Sequence, residues 1–143
     1  MRGHSIMRVA LVGVAYFGMV FVVGFALGTL RVLFVVPRLG EITGVLLELP
    51  ILLTLAWLTC SWLIARYDVP STIRARLVMG GCAFVVLMFA ELGGSVIGFG
   101  RTLSEQIEEY RKLPALLGLA GQIAFAAFPM IQSATCAIRT VGR

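Results

Sequence analysis

Four apolar runs, each as long as the roughly 20 helical residues that cross a hydrocarbon core, govern what this chain can become. They cover about 9–36, 43–65, 77–99 and 114–138. In lipid every backbone N–H and C=O must find a partner within the protein, and a helix provides one for each segment by itself. The expected fold is therefore all-α, an integral membrane four-helix bundle. Composition agrees: 13% of the 143 residues are charged, against about 25% in a soluble domain. A soluble fold of this length has too much surface for its volume to hide the remaining apolar side chains. One transmembrane domain over residues 1–143 is the natural organisation, with the lipid bilayer as solvent.

The ends of the runs carry local signals. The first ends at Pro37 and is longer than one crossing needs, so its helix must tilt or hold Arg31 below the surface. Arg2 and Arg8 precede it as in a signal peptide, but its apolar stretch is too long and no A-x-A site follows. It is read as a retained helix. Thr43 is the expected N-cap of the second helix, with Pro50 in its second turn. Ser71 is the expected N-cap of the third, and Pro114 suits the first position of the fourth. Pro129 should kink the fourth helix. Between the last two runs, Thr102 and Glu105 have capping-box spacing. Leu103, Ile107 and Tyr110 then share one face, so a short interfacial amphipathic helix is expected over about 102–112.

Net charge is +5. The basic residues cluster at helix ends, where they anchor helices and set orientation. With no basic stripe or stacking platform, nucleic acid is not an expected partner. Arg2, Arg8, Arg66, Arg74, Arg76, Arg139 and Arg143 fall on one side. Arg31, Arg38, Arg101, Arg111 and Lys112 fall on the other. The excess places both termini in the cytoplasm. Short loops and a short chain fit a bacterial inner membrane.

Each run contributes one strongly polar side chain at a similar depth in its outer half. At 1.5 Å per residue, Arg31 lies about 9 Å and Glu48 about 8 Å below the outer helix ends, and Glu91 and Gln122 about 12 Å. Arg38, Glu41 and Arg101 form a rim just above. A charge at the bilayer centre costs roughly 3 kcal/mol. These groups should therefore turn inward and meet in a single layer. Arg31 can hold a carboxylate through two parallel hydrogen bonds. One of Glu48 and Glu91 would then lack a full partner and be free to take a proton or a cation. The alternative is a static lock of helix register. Gly94 and Gly98, like Gly24 and Gly28, have the small-xxx-small spacing of close helix packing. Gln132, Ser133 and Thr135 are expected to hydrogen-bond between helices.

Catalytic patterns are missing: no Ser-His-Asp set, no HExxH, no phosphate loop and no CxxC. Cys60, Cys82 and Cys136 read as small hydrophobes. A lone histidine, His4, rules out a bis-histidine haem within one chain. No cofactor or metal is expected, and an enzyme is not the favoured reading. The favoured one is a small transporter or ligand-binding membrane protein using Glu91, Glu48, Arg31 and Gln122. The alternative is a non-catalytic accessory subunit of a larger membrane complex. Four helices barely enclose a pathway, so self-association or docking to other membrane subunits is expected.

Overall fold

The computed structural model describes residues 2–141, and the side chains of 6–135. Its elements in chain order are α1 (Arg2–Leu30), a π turn (Arg31–Val35), α2 (Val36–Leu39), α3 (Glu41–Arg66), α4 (Ile73–Gly93), a second π turn (Gly94–Gly98), α5 (Leu103–Glu109) and α6 (Leu113–Val141). Among the described residues there is no strand. Four continuous helical spans, Ile6–Leu39, Glu41–Arg66, Ile73–Gly98 and Leu113–Thr135, are long and apolar enough to cross a membrane. The chain is a multi-pass α-helical membrane protein, as its apolar runs require. His4, Cys136, Arg2, Arg139 and Arg143, which entered the expectations above, lie outside the described side chains.

The first span does not stop at Pro37. A proline ring inside a helix presses on the carbonyl four residues back. The widened π turn Arg31–Val35 lies immediately before it and absorbs that clash. The helix then continues to Leu39. The break comes at Gly40, whose φ of 83° suits glycine alone among ordinary residues. Gly40 is the whole link to α3, so the first two spans form a tight hairpin. It also serves as the N-cap of α3, in place of Thr43. The earlier start moves Pro50 beyond the second turn of α3. Thr72, not Ser71, caps α4, its Oγ1 accepting from the Ala75 N–H at 3.4 Å. Pro114 occupies the second position of α6, after Leu113.

The spans pack in a ring, α1 against α4, α4 against α6, α6 against α3, and α3 against α1. Apolar burial alone does not drive helices together in lipid, so close packing and hydrogen bonds must. The closest approaches to a neighbouring backbone lie at the end that carries the termini. A Cβ on Gly13 would sit 2.5 Å from the Met79 carbonyl oxygen, and one on Gly80 would overlap that of Ala126. Val9, Val12, Tyr16, Cys60, Leu63 and Met79 are buried in the same half.

Gly24 does face a neighbour, Leu52 of α3. Gly94 and Gly98 meet nothing within 4 Å. Their spacing serves no packing among the described residues.

Tyr16 crosses the middle of the ring. Its hydroxyl donates to the Phe125 carbonyl at 3.0 Å, and the two rings stack with centroids 4.3 Å apart. In a regular helix that carbonyl takes its hydrogen bond from the N–H four residues on. That residue is Pro129, which has none. Tyr16 therefore satisfies the acceptor that Pro129 orphans.

Arg76, expected in a loop, is buried in the first turn of α4. Its Nε donates to the Pro70 carbonyl at 3.1 Å and its Nη2 to that of Val69 at 3.2 Å. Gln132 bridges to α3 as expected, donating to the Trp57 carbonyl and to Ser61 Oγ. Ser133 and Thr135 instead donate to carbonyls of their own helix, those of Met130 and Ile131.

Candidate functional site

The polar side chains gather at the end opposite the termini, but as two separate groups rather than one layer. The first belongs to the hairpin. Arg31 opens the π turn and lies along Gly44 of α3, where a Cβ would sit 2.9 Å from its Cγ. Only a glycine leaves room for that arginine stem. The guanidinium then meets Glu48, with Nε 2.8 Å from Oε2. The Nε–H does not point along this contact, so it is an ion pair held by charge, not the expected pair of parallel hydrogen bonds. The two side chains keep 25% and 16% of their exposure. Gly28 leaves space beside the other Glu48 oxygen, with a Cβ there 3.8 Å from Oε1.

The second group lies between α4, α5 and α6. Glu91 is half-buried. Its Oε1 accepts from Gln122 Nε2 at 2.5 Å and its Oε2 from the Tyr110 hydroxyl at 3.4 Å. Both donors are neutral. Among the described residues no ion pair or hydrogen bond links Glu91 to Glu48, to Arg31 or to any other cation. Gln122 Oε1 is buried with no partner.

Tyr110 follows the last turn of α5. Burial first, and then the Glu91 carboxylate, push its phenol above the ordinary range. It therefore remains a donor throughout the physiological range.

A second tie holds α5 down: Ser95 in the π turn bonds Gln106 side chain to side chain. The Arg101 N–H donates to the Ser95 carbonyl at 3.3 Å and closes the connection. The start of α5 carries the full capping box read from its sequence. Glu105 N–H donates to Thr102 Oγ1, and Thr102 N–H to Glu105 Oε2 at 2.8 Å. Leu103 and Ile107 remain exposed, so α5 presents an apolar edge outward while Tyr110 and Gln106 reach inward.

The rim residues Arg38, Glu41 and Arg101 are exposed and form no ion pair among the described residues. Arg101 lies 5.9 Å from the centroid of the Phe99 ring. No group of three or more metal-binding side chains gathers among the described residues.

The structure thus joins Arg31 to Glu48 and Glu91 to Gln122, and leaves the two pairs apart. Sequence reasoning missed Tyr110, Gln106 and Ser95. Tyr110 had been placed on an apolar face, yet three charged residues, Glu108, Glu109 and Arg111, flank it. A hydroxyl-bearing ring there can reach a carboxylate from the surface, and this was the available signal.

No family model matches the chain, and neither the curated proteins nor the solved structures hold a match to it.

Proposed function

We propose that this chain is a small transporter or ligand-binding membrane protein in which Glu91 binds a proton or a cation. The observation that carries the reading is a carboxylate within a membrane span whose bonding partners are neutral donors. A carboxylate taken out of water and left without a cation is costly as an anion. A proton or a small cation removes that cost. Gln122 suits both states. Its amide donates to the ionised carboxylate, and after a flip its Oε1 can accept from the protonated one.

The hairpin pair plays a different part. Glu48 already has Arg31, and their contact fixes the register of the first two spans. The segment around α5 then covers Glu91 from the membrane surface. Its two side-chain ties are the bonds that must break for the site to open. In this reading both termini lie on the cytoplasmic side of a bacterial inner membrane. Arg31 and Arg76 are engaged within the bundle, and dropping one from each side keeps the excess of basic residues on the termini's side.

The test is reconstitution into liposomes loaded with a pH-sensitive dye, under imposed proton, sodium or potassium gradients. Glu91→Gln should abolish a pH-dependent flux or binding signal while helical content and melting temperature hold. An unchanged pH profile in that variant removes the proposal.

A second reading, an accessory subunit of a larger complex, draws support from the open glycine face at Gly94 and Gly98. Small residues are what helix docking in membranes uses. It expects co-purification with another membrane protein, and loss of assembly when Gly94 and Gly98 are changed to leucine.

A further inference from the structure

At the end that carries the termini, a cavity of about 280 Å³ opens between the start of α1 and the α3–α4 connection. Arg8 and Asp68 line it together with Tyr67, over a floor that includes Val9 and Val12. Both charged side chains are exposed, and neither forms an ion pair among the described residues. Opposite charges facing one cavity without meeting leave room for a guest that carries both signs. Asp68 is set there by the end of α3: its φ of 48° is the left-handed conformation that closes a helix, with the Val69 N–H donating to the Ile64 carbonyl at 3.1 Å. The height is also informative. Tyr67 to Pro70 lie between the second and third spans, and Arg8 is near the start of the first. This is the level of lipid headgroups.

We infer that this cavity binds a zwitterionic phosphate–ammonium group, of the kind carried by an ethanolamine phospholipid. The Arg8 guanidinium takes the phosphate through paired N–H···O bonds. The Asp68 carboxylate takes the ammonium. Val9 and Val12 receive the linking methylenes, and an attached acyl chain continues down the apolar surface of the first span. The volume suits a headgroup: at about 280 Å³ it falls just below the roughly 300–1,000 Å³ that drug-sized ligands occupy. The site is independent of Glu91, which lies at the opposite end of the spans.

Lipid retention on the full-length protein tests this. The protein is placed in nanodiscs of equal phosphatidylethanolamine and phosphatidylglycerol, released, and the bound lipid is weighed by native mass spectrometry. Phosphatidylethanolamine should be retained preferentially. Arg8→Gln, which removes the partner of a phosphate both lipids carry, should lower retention of both. Asp68→Asn should lower the preference about tenfold, as the loss of one charge-assisted hydrogen bond implies. Arg74→Gln, which alters an exposed arginine outside the cavity, should leave it unchanged.

A second arm titrates soluble phosphoethanolamine onto protein in discs of phosphatidylglycerol alone. Binding there that both cavity variants abolish identifies a free zwitterion as a sufficient ligand. Selectivity seen only with the intact lipid identifies the membrane as the source. Equal retention of both lipids with no soluble binding overturns the inference. So does a preference that survives Asp68→Asn, or one that Arg74→Gln lowers equally.

Discussion

Replacing Tyr16 by phenylalanine isolates the bond that bridges the bundle. The ring remains, so stacking on Phe125 at 4.3 Å is kept. What goes is the hydroxyl that donates to the Phe125 carbonyl. Pro129 cannot replace it, so the carbonyl is left buried and unpaired. An unsatisfied buried acceptor costs about 1–3 kcal/mol. Interhelical hydrogen bonds measured in membranes average about 0.6 and reach about 1.7 kcal/mol. The bond here falls at the upper end of that range, because no helical donor competes for the acceptor. Tyr16→Phe should therefore cost about 1.5 kcal/mol. In a Pro129→Ala background the alanine N–H at position 129 supplies the missing donor. The same tyrosine change should then cost less than about 0.5 kcal/mol. Reversible unfolding in mixed micelles, followed by tryptophan fluorescence, gives the four stabilities of the cycle. A coupling of about 1 kcal/mol is expected. If the two changes simply add, the pairing of Tyr16 with the proline-orphaned carbonyl is wrong.

Three further perturbations probe other levels of the structure. Arg31→Leu should cost about 2–3 kcal/mol, because it strands Glu48 without its partner in a half-buried site. The double change with Glu48→Leu should recover most of that in the same unfolding assay. Gly80→Ala should cost about 1–3 kcal/mol through its clash with the Ala126 carbonyl. Gly81→Ala, with nothing within 4 Å, should be neutral or stabilising by up to about 1 kcal/mol. A stable Gly80→Ala protein would contradict the close approach of α4 and α6. The Glu105 carboxyl is held below its ordinary range, first by the Thr102 backbone N–H. Such a depressed group stabilises the fold fully above the ordinary glutamate value near about 4.3. That contribution is lost as pH falls through the lower folded value. Amide protection across α5, taken relative to the intrinsic exchange rate at each pH, should accordingly fall in acid, and should lose this pH dependence in Glu105→Gln.

The spans were legible because lipid imposes one demand, backbone bonds satisfied within each segment, and run length reports it directly. Their ends were less so. Pro37 reads as a stop, yet a π turn relieves the ring clash and moves the break to Gly40. The depth of each charge was also legible, since helical rise converts residue count into height. Direction around the helix axis was not. Each residue advances about 100°, and each π turn adds an offset that no residue count anticipates. Arg31 therefore turns over Gly44 toward α3, while Glu91 turns toward α6 and the segment that ends at Tyr110. Arg76 was hidden for a simpler reason. Its partners are carbonyls of the preceding loop, and backbone acceptors leave no mark in the sequence.

The one-residue link at Gly40 has a consequence for how the chain enters its membrane. With so short a connection, the first two spans cannot be threaded far apart and must settle as a unit. Arg31 and Glu48 then reach each other before any later helix arrives. A hairpin that enters as a unit would carry Arg31 and Glu48 through the bilayer as one ion pair rather than as two separate ions. Lengthening that link with a flexible insert would delay the encounter and slow membrane integration, even where the finished bundle is unchanged.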